Sequence, residues 1–164
     1  MRETKFIKTE IGDISSSWSV KILRDITSLI TDGAHFSPQE ANVGYYMPSV
    51  KDMTTNGFDF SCCKRISRED YLFLKKQGCE PQKGDVLIAK DGSMLKYAFC
   101  YDPVKPIVIL SSIAIIRPNE SVDPNYLALF FNKPEVVDYV VSNYKTGTGV
   151  PRIVLANFAK LPVA

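Results

Sequence analysis

Four consecutive apolar residues, Val86-Leu87-Ile88-Ala89, lie between Gly84-Asp85 and Lys90-Asp91-Gly92. A run this short, β-prone and free of polar residues reads as a buried central strand. Asp91-Gly92 is a turn dipeptide, because Asp bonds its own backbone and Gly tolerates a positive φ. The strand is therefore expected to end by sending Lys90, Asp91, Ser93 and Lys96 towards solvent. A polar loop held on a rigid strand suits recognition; the plainer reading is an ordinary hairpin with a solvated tip.

Around this strand the chain has room for one domain with a real core, at 164 residues. No apolar run approaches the length of a membrane span, and Met1-Arg2-Glu3-Thr4-Lys5-Phe6-Ile7 lacks an apolar signal core. No membrane association is expected, and the four cysteines (Cys62, Cys63, Cys79 and Cys100) read as reduced thiols of a cytoplasmic protein. They form no C-x-x-C pair, and with His35 as the single histidine no metal site is expected. A net charge of +2 argues against a sequence-blind nucleic-acid coat, yet allows a reader of specific bases with its cations on one face.

Along the chain, residues 1–17 read as a lead-in and Trp18 as the first core anchor. Two short strands are expected between Trp18 and Ile30, with a turn near Arg24-Asp25. Thr31 to Pro38 breaks all periodicity, and Gly44 to Val50 predicts a strand placed at an edge or a bulge by Pro48. A polar loop, Lys51 to Gly57, follows. A region this long and loop-rich, from Thr31 to Arg65, is more often functional than idle.

Ser67-Arg68-Glu69-Asp70 opens the clearest helix, with acidic residues at its start, Lys75-Lys76 at its end and Gly78 as its stop. Tyr71, Leu72 and Leu74 are expected to face the sheet. Lys96 to Tyr101 predicts a partner strand. Ile107 to Arg117 predicts two strand segments bent at Ser111-Ser112. Asp123-Pro124 starts a helix. A second helix, after Pro134, carries Val137, Val140, Val141 and Tyr144 on one face. Lys145 to Arg152 is a basic, hydroxyl-bearing loop, before a helical turn and a short strand at Leu161-Pro162-Val163.

No catalytic constellation emerges. Thr146-Gly147-Thr148-Gly149 follows a helix and lacks the pattern of a nucleotide-binding loop, although its amides, with Lys145 and Arg152, suit a DNA phosphate. No Ser, Cys or carboxylate stands in a recognisable relation to His35. Asp32, Asp85 and Asp91 each have a turn context that explains them. The functional signal is distributed over three polar loops and the Lys90 turn. Candidate DNA-contacting residues are His35, Lys51, Thr54, Asn56, Lys90, Ser93, Lys96, Lys145, Thr146, Thr148 and Arg152, with His35 and Asn56 as base readers.

Four segments, in order, resemble one family. They are Trp18-x-Val20-x-x-Leu23 with Ile30-Thr31-Asp32-Gly33-x-His35-x-x-Pro38; Gly84-Asp85-Val86-Leu87 with Lys90-Asp91-Gly92; Ser112-x-Ala114-x-Ile116-x-Pro118; and Gly147-Thr148-Gly149-Val150-Pro151 before Leu155-x-x-Phe158-x-x-Leu161-Pro162-Val163. Residues 18–164 resemble a target recognition domain of the specificity subunit of type I restriction–modification systems. The fold expected is α+β, a single domain with a twisted, partly barrel-like mixed β-sheet and a few flanking helices.

The resemblance implies two recognition domains joined by long spacer helices, each reading half of a split target in double-stranded DNA from the major groove. It implies that DNA methyltransferase (modification) subunits methylate adenine with S-adenosylmethionine, and that restriction (motor-nuclease) subunits cut unmodified DNA. The recognition domain itself holds no cofactor and does no chemistry. The sequence stops at Pro162-Val163-Ala164, about where a first spacer helix is expected, so it reads as an isolated domain. An isolated module of this kind buries about 600–1,000 Å² on DNA. The alternative is a regulatory or protein-interaction module that engages methyltransferase subunits without binding DNA.

Overall fold

The computed structural model describes residues 5–164. Of the stretch read as a lead-in, residues 1–4 lie outside the described residues. The rest forms a hairpin, β1 (Phe6–Thr9) with β2 (Gly12–Ser15), whose turn residue Ile11 is buried in the main core. Next come β3 (Lys21–Ile22), a 3₁₀ turn over Leu23–Ile26, and β4 (Thr27–Asp32). Two strands were expected here with a turn at Arg24-Asp25, and the 3₁₀ turn is that turn. Trp18 does not anchor in the core. It is half exposed and meets the Tyr126 ring edge-on, 5.7 Å between centroids.

The strand expected over Gly44 to Val50 is reduced to β5 (Tyr45–Tyr46), paired with β6 (Arg65–Ile66). Helix α1 (Arg68–Lys76) starts at Ser67, whose hydroxyl accepts from the Asp70 amide. It ends in a Schellman arrangement: Gly78 takes φ +86°, its amide bonds the Lys75 carbonyl, and the Cys79 amide reaches back to Leu74. Tyr71 and Leu74 are buried as the spacing predicts, but Leu72 faces solvent. The apolar stripe of this helix is narrower than the sequence suggests.

β7 (Val86–Ala89), β8 (Ala98–Cys100) and β9 (Ile113–Pro118) join β4 in an antiparallel sheet of order β4-β9-β7-β8. Helices α2 (Pro124–Phe131), α3 (Pro134–Tyr144) and α4 (Leu155–Phe158) follow, and β10 (Pro162–Val163) closes back on β3. In α3 the buried stripe is centred on Val136 and Val140, one residue off the expected face. Over the described residues the architecture is mixed α+β with four small sheets, and the main sheet does not close into a barrel.

The apolar run of β7 is explained by its two faces. Val86 and Ile88 join Ala114 and Ile116 in a core covered by α2, α3 and α4. Leu87 and Ala89 join Ile113, Ile115 and Phe99 in a second core beneath Ile107 and Ile109. Alternate side chains point to opposite faces, so a strand covered on both must be apolar throughout. Ile107 to Arg117 is bent as expected. Ile107 and Leu110 make isolated parallel bridges to Tyr46 and Ala34, Ser111-Ser112 turns, and β9 follows.

Candidate nucleic-acid interface

The register of the main sheet puts the last residues of β4 and β7 (Asp32 and Ala89) at the same end as the first residues of β9 and β8 (Ile113 and Ala98). Every loop leaving that end is therefore brought to one rim. The Gly33–Pro38 loop is stitched on by Ala34 N–H to the Ile109 carbonyl (2.8 Å) and Ser111 N–H to the Ala34 carbonyl (2.9 Å). The Pro48–Asp52 turn is held by Leu110 N–H to the Pro48 carbonyl (3.1 Å) and Val50 N–H to the Ser112 hydroxyl (3.2 Å). Asp52 caps this turn by accepting from the Ser49 amide at 2.8 Å, which leaves Lys51 exposed at its tip.

The Lys145–Arg152 loop docks on the turn after β7. Gly92 N–H donates to the Pro151 carbonyl (2.8 Å) and Ile153 N–H to the Lys90 carbonyl (3.1 Å). Thr146 and Arg152 exchange backbone bonds of 2.8 and 3.0 Å, so the loop is a tight, paired turn rather than a free connector. The Thr146 hydroxyl is already bonded to the Arg152 carbonyl, whereas Lys145, Thr148 and Arg152 are exposed. Ser93 and Lys96 are exposed on the turn between β7 and β8, where Lys96 lies over the Tyr97 ring at 5.2 Å. Leu95 takes a left-handed φ of 52° there while burying its side chain, which fixes the turn from inside.

Lys90 is a correction. Instead of pointing to solvent, its side chain is 8% exposed, with Nζ 3.6 Å from Asp32 and 3.1 Å from Asp91. A hydrated ammonium is buried only where carboxylates replace its water, and here two do. In this conformation Lys90 is unavailable to a phosphate. Thr54 and Asn56 lie just after the Pro48–Asp52 turn. They occupy a narrow hairpin closed by Thr54 N–H to the Gly57 carbonyl (2.8 Å). Asn56 faces a cleft beside β8 and α2, lined by Phe99, Asn125 and Leu129. His35, Lys51, Ser93, Lys96, Lys145, Thr146, Thr148 and Arg152 are the candidates whose loops share the rim.

Two residues that organise the rim were missed. Asp32 was explained by its turn, yet it binds both Lys90 and His35 (3.0 Å to Nε2). Lys64, from outside any candidate loop, donates to the Ser37 hydroxyl and the Pro38 carbonyl and so clamps the far end of the Thr31–Pro38 loop. The Lys90 and Lys64 partnerships join residues far apart in the chain and have no local signal, whereas the Asp32–His35 contact spans three residues and its signal is the spacing Asp32-x-x-His35.

The thiols near the rim do not form nucleophiles. Burial, then the Asp52 charge, pushes the Cys63 thiol up to about 12. Burial, then the Asp32 charge, also raises Cys79. Both stay protonated at neutral pH, and a thiol is not the attacking species. Among the described residues no cluster of His, Cys, Asp and Glu suits a metal ion. With Cys62 exposed, one thiol is expected to react rapidly with an aromatic disulfide reagent at pH 8. Cys62→Ser should abolish that fast phase; a fast phase that survives the substitution would show that the buried thiols are accessible.

The fold is one found in specificity subunits of type I restriction–modification systems: the crystal structure of the S subunit from M. genitalium superposes with a TM-score of 0.56 at 13% identity, over 88% of this chain and 33% of that one. The HsdS subunit from Thermoanaerobacter tengcongensis gives 0.49 at 15% identity, over 90% and 36%. In sequence, the chain is 25% identical over 150 residues to the "Putative type I restriction enzyme MjaX specificity subunit" of Methanocaldococcus jannaschii, covering 85% of this chain and 34% of that protein. The chain thus spans about a third of the length of these relatives. No family model matches it. Among the described residues no helix is long and apolar enough to cross a membrane.

Proposed function

We propose that this chain is a target recognition domain that reads one half of a bipartite DNA sequence for a type I restriction–modification complex. The observation that carries this reading is the gathering of the polar loops at one end of a rigid sheet. Each loop is tied by backbone hydrogen bonds, so the exposed His35, Lys51, Lys96, Lys145 and Arg152 present a preorganised surface to a duplex. The domain is a non-catalytic component. Modification subunits methylate adenine at the site it selects, and motor-nuclease subunits restrict DNA that lacks the mark. Such a complex works in the cytoplasm.

Phosphate contacts set affinity and its salt dependence. Each neutralised contact removes about 0.9 from the slope of log K against log salt. Lys51→Ala and Arg152→Ala are each expected to lower that slope by about one, and to weaken binding similarly for all sequences. The measurement is a fluorescence titration of duplex DNA at several salt concentrations. A slope unchanged in both variants would place the DNA on another surface. Retention of a modification subunit with no DNA binding at low salt would favour a protein-interaction module instead.

A further inference from the structure

We propose that the Asp32–Lys90 pair is a positioning couple for His35, and that His35 reads, through Nδ1, the exocyclic amino group of adenine or cytosine in the major groove. The inference rests on the DNA-reading function above and deepens it.

The geometry begins with Asp32, the last residue of β4, whose side chain is 7% exposed. One carboxylate oxygen lies 3.0 Å from His35 Nε2 and the other 3.6 Å from Lys90 Nζ. A carboxylate only accepts, so Nε2 must carry the proton. A neutral imidazole has one ring proton, which leaves Nδ1 with a lone pair. The ring is 77% exposed, so Nδ1 is open to a ligand.

Lys90 makes this arrangement rigid. Its ammonium sits between Asp32 and both oxygens of Asp91, at 3.1 and 3.3 Å, and its backbone carbonyl accepts from the Ile153 amide. The Asp32 carboxylate is thereby engaged on both oxygens and cannot swing away from the ring. At the other end of the loop, Lys64 holds Ser37 and Pro38.

An acceptor at that position has a defined vocabulary. The donors a duplex shows in its major groove are adenine N6 and cytosine N4. Guanine O6 and thymine O4 would set lone pair against lone pair. His35 therefore separates adenine from guanine, or cytosine from thymine, at one position of the half-site.

The chain contains a single histidine, so its ring nitrogen signals are unambiguous. At pH 8.5 the ¹⁵N shifts should report the Nε2–H tautomer. An Nδ1–H ring overturns the inference whatever DNA does. The preferred duplex is then selected from a random pool with the full chain. His35→Ala should relax preference about 5- to 10-fold at one base pair and leave the others intact. Replacing that base with its analogue lacking the amino group (purine for adenine, pyrimidin-2-one for cytosine) should weaken the parent protein and not His35→Ala.

Lys90→Met should relax the same base pair while leaving the salt slope for random DNA unchanged, because a buried ammonium touches no phosphate. A slope lowered by about 0.9 would make Lys90 a phosphate contact and overturn its positioning role. If Lys90→Met does not fold, the exposed His35 arm decides. A preference unchanged by His35→Ala, or lost evenly at all positions, overturns this inference alone. A chain with no sequence preference overturns the proposed function, and the ring tautomer then still reports on the geometry.

Discussion

Arg117→Ala is expected to lower the unfolding free energy by about 3–5 kcal/mol, read from urea denaturation. The reason lies at the end of the sheet opposite the loop rim. Asp85, fully buried at the entry to β7, accepts a bidentate pair from Arg117 (2.7 Å to Nε and 2.9 Å to Nη2) and a third bond from the Gln82 amide at 2.7 Å. The carboxylate raises the Arg117 guanidinium further above its ordinary range through that hydrogen bond. Removing the arginine leaves a fully buried carboxylate without its countercharge. Asp85→Ala should cost less, because Arg117 is partly exposed and can turn to solvent. A loss below about 1 kcal/mol for Arg117→Ala would mean that water reaches Asp85.

Gly33→Ala should be the most damaging change in the loops. A Cβ there would stand 2.0 Å from the Ile109 carbonyl oxygen and 2.4 Å from its carbon. Backbone cannot yield as a side-chain tip can, so the loop must move away from the 107–110 segment. That breaks the Ala34–Ile109 and Ser111–Ala34 bonds and releases His35 from the rim. The expected cost is about 1–3 kcal/mol or more. Amide exchange at Ala34 and Ser111 should accelerate while exchange within β7 and β9 changes little. Unchanged protection at Ala34 would mean that the loop is not held by this contact.

Residue type and spacing made the framework legible. The two-sided burial of Val86 to Ala89, the Ser67 and Asp123 caps, the Gly78 stop and the bend at Ser111-Ser112 all follow from local rules. The candidate loops were legible for the same reason, since they are where periodicity fails. What the loops do to one another was not. Lys90 at the end of a strand looks like a solvated lysine until Asp32, from the end of β4, arrives beside it. Trp18 and Leu72 mislead in the other direction, because apolar character alone does not say whether another element covers them. Asp85 fitted a turn and proved to be the anchor of a buried ion pair.

The central claim is that the rim loops choose the DNA sequence while other subunits do the chemistry. Replacing one recognition domain of a complete specificity subunit with this chain, and mapping methylated adenines in cells carrying the complex, tests it most directly. The account predicts a new split target in which one half is changed and the other half and the spacing are retained, with His35→Ala altering the new half alone. An assembled complex that still methylates the parental sequence, or a new target unaffected by any rim substitution, would contradict it.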